Sequence, residues 1–271
     1  MNAPERLPLP DTQSLPDGRQ LAIQRVGVKD LRYPVVLRGH DGEDRHTVAM
    51  FAMDVSLAHD VKGTHMSRFV EILERLRDPL DLNTFRSMHA RMLEHLGAAS
   101  GRIEMRFPFF IRKAAPISGV ESLLDYEAAW IAATDPGGRL DVIVELRAPV
   151  TSLCPCSKKI SAYGAHNQRS HVTLRVHVPG GDVSLAELAR IAEDEASSEL
   201  YGLLKRSDEK FVTERAYDNP KFVEDLVRDI ALRLTHDLRV GRFSVASENF
   251  ESIHNHSAYA EIRGVGAAMT V

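Results

Sequence analysis

Apolar and polar residues alternate in short runs along this chain and adopt a helical period only in places. Tyr33 to Arg38 is apolar at Tyr33, Val35, Val36 and Leu37, and His46 to Leu57 sets Val48 and Met50 against Ala49 and Phe51. Gly39-His40-Asp41-Gly42 supplies turn residues between them, so the pair predicts a β-hairpin. Met66, Phe69, Val70, Leu73 and Leu76 then follow at helical spacing as far as Pro79. A second helix is predicted through Leu82, Phe85, Met92, Leu93 and Leu96, with Asp81 as N-cap and Gly97 near its end. Ile103 to Ile111 and Tyr126 to Ala133 read as strands.

The order then repeats. After the tight turn Asp135-Pro136-Gly137-Gly138, Leu140 to Val150 forms a strand with Val142, Val144 and Leu146 on one face, and His171 to Val178 alternates again. Ser184 with Glu187 makes a capping box that opens a helix through Leu185, Leu188 and Ile191. Asn219-Pro220 is expected to cap another helix, whose stripe is Phe222, Val223, Leu226, Val227, Ile230 and Leu234. Val240 to Phe250 and Ser257 to Ile262 close the chain as strands. Hairpin, two helices, hairpin, twice over, predicts an α+β fold with antiparallel sheets rather than a doubly wound one. The modules span 31–138 and 139–271, after an extended arm over 1–30 that carries four prolines and room for one short strand. The duplication rests on element order, since the halves share no evident sequence identity.

Composition narrows the class. In 271 residues, 34 Lys+Arg against 38 Asp+Glu give a net charge of −4, which excludes a broadly basic nucleic-acid scaffold. No apolar run approaches the ~18 residues of a membrane span. The N-terminal residues Met1 to Arg6 lack the pattern of a secretory signal, so a cytoplasmic protein is expected. The only cysteines, Cys154 and Cys156, flank Pro155, too close for an unstrained disulfide.

Those thiols lie in the most informative stretch, Thr151 to Lys159 followed by Tyr163 to His171. Between two predicted strands it reads as a loop of about 20 residues, a length that is usually functional or disordered. Lys158, Lys159 and Arg169 each favour a thiolate there. Soft Cys beside His suggests a transition metal, but Cys154 and His166 alone do not complete a zinc motif. Glu209, read as lying in a loop just ahead of a helix, and His254 and His256 at a strand turn are the further donors. One Cys, two His and one Glu suit Zn²⁺, Fe²⁺ or Mn²⁺. Plainer readings stand beside these. Glu209 is read as a solvated charge, Glu224 as the i, i+4 partner of Arg228, His171 and His177 as cross-strand packing, and His89 and His95 as surface residues of a helix.

At Ser152-Leu153-Cys154-Pro155-Cys156-Ser157-Lys158 and Tyr163-Gly164-Ala165-His166-Asn167-Gln168-Arg169-Ser170 the chain resembles the GTP cyclohydrolase IB family. The resemblance continues at His65 to Phe69, at Thr213 to Tyr217 with Asn219 to Asp225, and at Glu248 to His256. It implies a tunnelling fold, assembled as a homotetramer with active sites at subunit interfaces. It further implies conversion of GTP to 7,8-dihydroneopterin triphosphate and formate, the first step towards tetrahydrofolate and related deazapurines. Cys154, His166, Glu209 and His254 would then hold a divalent metal, and Glu224 would anchor the guanine edge. Cys156 or His256 is expected to move protons, and either sulfur of the Cys-Pro-Cys turn can reach the ion. Lys62, His65 and Arg68, from a neighbouring subunit if the site is at an interface, would meet the triphosphate together with Arg169, Lys158 and Lys159. Two rival readings are a nitrile reductase of the same fold, with a Cys nucleophile and NADPH, and a non-catalytic pterin- or metal-binding protein.

Overall fold

In the computed structural model, residues 11–13, 15–39 and 42–269 are described. The first half runs β1 (Ile23–Arg38), β2 (Asp44–Leu57), α1 (Ser67–Glu74), α2 (Leu82–Leu96), β3 (Gly101–Ala114) and β4 (Glu121–Thr134). The second runs β5 (Leu140–Leu153), α3 (Pro155–Ile160), β6 (Asn167–His177), α4 (Leu185–Glu195), β7 (Ser198–Glu199), α5 (Arg206–Asp218), α6 (Val223–His236), β8 (Arg242–Asn249) and β9 (Ala258–Val265). All the strands belong to one antiparallel sheet in the order β1-β2-β3-β4-β5-β6-β8-β9, with β7 paired to β5 off that path. The β4–β5 pairing, from Glu127↔Arg147 to Thr134↔Leu140, makes the two halves continuous. Among the described residues, no helix is long and apolar enough to cross a membrane.

Alternation sorts the strands onto two faces. Phe51, Met53, Met105, Phe107, Trp130, Val144, Leu146, Val172, Leu174 and Val245 are all buried in one core under the helices. Phe85 of α2 enters that core with its ring centroid 5.8 Å from that of Trp130. The helix-free face carries charge instead, matched across strands. Arg147 meets Glu127 at 3.3 Å, Arg175 meets Glu145 at 3.6 Å, and Asp141 meets both His177 at 2.6 Å and Arg242 at 2.8 Å.

The helix signals behave as their chemistry requires. Asp81 accepts from the Thr84 N–H while the Thr84 hydroxyl accepts from the Asp81 N–H, and Ser184 forms the matching box with Glu187. Gly97 ends α2 at φ 61°, the left-handed backbone that glycine adopts without a Cβ penalty.

Elsewhere the structure differs from the expectation. β1 begins at Ile23, so the end of the N-terminal stretch is in the sheet. Among its described residues the second half has four α-helices rather than two, because α3 and α5 are added to the sheet-covering α4 and α6. Asn219 caps the end of α5 rather than the start of α6, and α6 opens after Phe222. His89 is buried, not on the surface, because its Nε2 reaches the Gly101 carbonyl at 3.0 Å. Gly39 and Gly42 border a β1–β2 turn whose residues 40 and 41 lie outside the described ones.

Candidate active site

The loop expected over residues 151–170 is shorter than its polarity suggested. The β5–β6 ladder runs on through Thr151↔Arg169, Ser152↔Gln168 and Leu153↔Asn167. The Ser152 and Ser170 hydroxyls, 2.6 Å apart and buried, satisfy each other inside it. The ladder end is held from outside as well. The Leu153 N–H donates to Ser197 Oγ at 3.0 Å, and the Lys221 N–H donates to the Leu153 carbonyl at 3.1 Å.

Beyond Leu153, Cys154 is the N-cap of α3 and Pro155 opens the helix, where a missing N–H costs nothing. Ser157 fastens this turn to His166. Its N–H donates to Cys154 Sγ at 3.5 Å, its hydroxyl donates to the Cys154 carbonyl at 3.1 Å, and the same oxygen accepts from the His166 N–H at 3.2 Å. The Cys154 N–H in turn donates to the His166 carbonyl at 3.1 Å. Gln168 Oε1 lies 3.0 Å from His166 Nδ1, and Glu251 Oε2 lies 3.8 Å from it. Acceptors on that side assign the ring proton to Nδ1 and leave the Nε2 lone pair for a ligand. A thiol and an oriented imidazole in one hydrogen-bonded unit fit a borderline-soft divalent ion.

The other expected donors stand on separate elements. Glu209 is exposed in the first turn of α5, within a helix rather than ahead of one. His254 and His256 are exposed in the β8–β9 connection, with their rings stacked at 5.1 Å. Among the described residues, no three His, Cys, Asp or Glu side chains are gathered so as to hold a metal. The chain by itself joins Cys154 to His166 and does not bring Glu209 and His254 to them.

The remaining expected residues are also dispersed. Cys156 is exposed on α3, and Glu224 is exposed in the first turn of α6, where Arg228 faces Asp225 at 3.9 Å instead of Glu224. Lys62 is exposed, His65 Nε2 lies 3.2 Å from Asp11, and Arg68 is half-buried in α1. Lys158 is engaged with Tyr217, donating to its carbonyl and sitting 4.2 Å above its ring. Exposed Arg169 lines a cavity of about 410 Å³ with Arg147, His171, Tyr126 and Tyr201. His171 packs edge-on against Phe250, and burial lowers its pKa, so the ring is neutral at neutral pH.

Sequence reasoning passed over Ser157, Gln168 and Glu251, which hold Cys154 and His166 in place. All three sit inside the quoted motif strings, but only the β5–β6 register and the return of the chain at Glu251 give them a purpose.

A family description, type I GTP cyclohydrolase folE2, matches residues 9–260. GTP cyclohydrolase FolE2 1 of Dechloromonas aromatica is 62% identical over 97% of this chain and 99% of its own length. GTP cyclohydrolase FolE2 of Paraburkholderia xenovorans is 61% identical over 94% of both chains. The crystal structure of uricase from Arthrobacter globiformis aligns with a TM-score of 0.54 at 10% identity, over 89% of this chain and 93% of that one. That likeness concerns the fold alone and establishes the tunnelling fold. With the family description matched over residues 9–260 and relatives about 60% identical over nearly their whole length, the chain belongs to the type I GTP cyclohydrolase FolE2 family.

Proposed function

We propose that the chain hydrolyses GTP at guanine C8, giving 7,8-dihydroneopterin triphosphate and formate, with a divalent ion of Mn, Fe or Zn held by Cys154, His166, Glu209 and His254. The observation that carries this reading is the Cys154–Ser157–His166 unit, with His166 Nδ1 occupied by Gln168 and Nε2 left free. Held by those four residues, the ion would supply Lewis-acid activation of water at neutral pH, which the poorly electrophilic C8 needs.

The chain's own residues supply the rest. The Glu224 carboxylate accepts from guanine N1–H and the adjacent exocyclic amine, a bidentate charge-assisted pair. Cys156 Sγ or a His256 ring nitrogen delivers the proton to the departing imidazole nitrogen of guanine. A His254 nitrogen bound to the ion is unavailable for that transfer. Lys62, His65, Arg68 and Arg169 meet the triphosphate. The separation of the first three from Cys154 in sequence and contacts fits their delivery from a neighbouring subunit of a homotetramer. The product serves folate or deazapurine synthesis, the role of a type IB enzyme.

Formate release from GTP, measured on chelator-stripped protein reloaded with Mn²⁺, Fe²⁺ or Zn²⁺, tests the reading. Formate and neopterin fluorescence restored together by one ion are expected. Tight ion binding without formate under any of the three overturns the hydrolysis.

A further inference from the structure

Asp208 is charged and wholly buried beside an exposed Glu209. Its Oδ1 accepts from the Ile117 and Ser118 N–H groups, each at 2.8 Å, and its Oδ2 accepts from the Ser118 hydroxyl at 2.7 Å and the Lys205 N–H at 2.8 Å. Four donors on two oxygens leave little capacity unused. Lys205 is the N-cap of α5, whereas Ile117 and Ser118 form the β3–β4 turn of the first half. One carboxylate thus closes a helix start and bolts it to a turn about ninety residues earlier in the chain.

Two further contacts lay the approach to α5 along the same hairpin. Lys113 Nζ donates to the Leu200 carbonyl at 2.7 Å, and Gly202 lies so near β4 that a Cβ there would meet the Leu123 carbonyl oxygen at 2.5 Å. The stretch from Leu200 into the first turn of α5 is therefore held at three points, the last one residue before Glu209.

We propose that Asp208 is the positioning residue for Glu209: by tying the first turn of α5 to Ile117 and Ser118, it lets the first half of the chain set where the Glu209 carboxylate stands. This rests on the reading of Glu209 as a metal ligand. The role is one of support for a ligand, which typically alters metal affinity about 10–100-fold when lost. Asp208→Asn is the informative change, since it keeps one acceptor oxygen for the two turn amides but sets an amide group against the Lys205 N–H.

Mn²⁺ titration of the full chain, followed by the electron paramagnetic resonance of the free ion, gives the readout for Asp208→Asn, Ser118→Ala, Glu209→Gln and Asp81→Ala. Asp208→Asn is expected to weaken Mn²⁺ binding about tenfold and to speed amide hydrogen exchange at 117–118 and 205–209. Ser118→Ala is expected to weaken it a few-fold. Asp81→Ala, which removes a helix cap elsewhere, is expected to lower stability without moving Mn²⁺ affinity. Folded Asp208→Asn that binds Mn²⁺ within twofold of the parent, while Glu209→Gln binds weakly, overturns the positioning role and leaves the ligand reading intact. Glu209→Gln with unchanged affinity removes the ligand reading, and the proposal with it. Where Asp208→Asn does not fold, Ser118→Ala decides: parental Mn²⁺ affinity in that variant overturns the proposal.

Discussion

The two halves of the sheet are built to one plan and used differently. In the first, α1 and α2 cover β1 to β4, and the connections between elements are short. In the second, α4 and α6 cover β5, β6, β8 and β9 in the same manner, but α3 is added between β5 and β6, and β7 and α5 between α4 and α6. Cys154, Cys156 and Glu209 lie on or at those additions, and His254 and His256 lie in the β8–β9 connection. Apolar alternation buries one face of the repeated framework under its helices, and the charged groups of the other face are largely matched across strands. The additions carry polar groups because they lie outside the layer that must be buried. The first half still contributes, since its β3–β4 hairpin is the surface against which the Leu200 to Asp208 segment is fastened.

Five substitutions press on this division. The largest effect is expected in the second half: Cys154→Ala should cut formate release from GTP about a thousandfold or more, while the thermal midpoint moves little. Substantial turnover in that variant would detach the chemistry from α3. Next comes Phe85→Ala, which empties a wholly buried site beside Trp130 and is expected to cost about 3–5 kcal/mol in urea unfolding. A loss below about 1 kcal/mol would mean that the first half is not a closed core.

The paired caps offer a like-for-like comparison. Asp81→Ala and Ser184→Ala should each cost about 0.5–2 kcal/mol, since each removes one reciprocal capping box. A large inequality between them would show that the halves are not equivalent frameworks.

The smallest effect is a pH dependence. Burial holds the His89 pKa below its ordinary value of about 6.5, outweighing the bond to the Gly101 carbonyl. Above about pH 6.5 the ring is neutral whether folded or unfolded. As pH falls below that value the unfolded chain takes up a proton that the folded chain does not, so stability declines until the folded pKa is passed. His89→Gln, which retains an N–H for Gly101, should make the fall in thermal midpoint between about pH 7 and pH 5 shallower. An unchanged slope would assign the acid sensitivity to other groups.

The framework was readable wherever local chemistry acts alone. Asp81, Ser184 and Gly97 mark helix ends through bonds to their own neighbours, and they do so whatever surrounds them. Strand ends were harder. Ser152, Gln168 and Ser170 look like loop residues, yet they are buried because hydroxyl pairing and ladder bonds satisfy them. Helix α5 gave little periodic signal, since its buried residues are only Asp208 and Ala216 and one of them is charged. The motif strings pointed to Cys154 and His166, but not to Ser157, Gln168 and Glu251 as their supports.

Spacing within a few residues is enough to set the alternating strands, the caps at Asp81, Ser184 and Gly97, the core stripes and the position of the reactive stretch. The folded chain was needed to show that Ser157 joins Cys154 to His166, that Glu251 returns to face that ring, and that Asp208 fastens α5 to a turn of the other half. The contacts of Glu251 and Asp208 link positions far apart in the chain, whereas Ser157 acts across a short turn. Each exists because a polar group withdrawn from solvent must find a partner wherever the sheet and its connections bring one within reach.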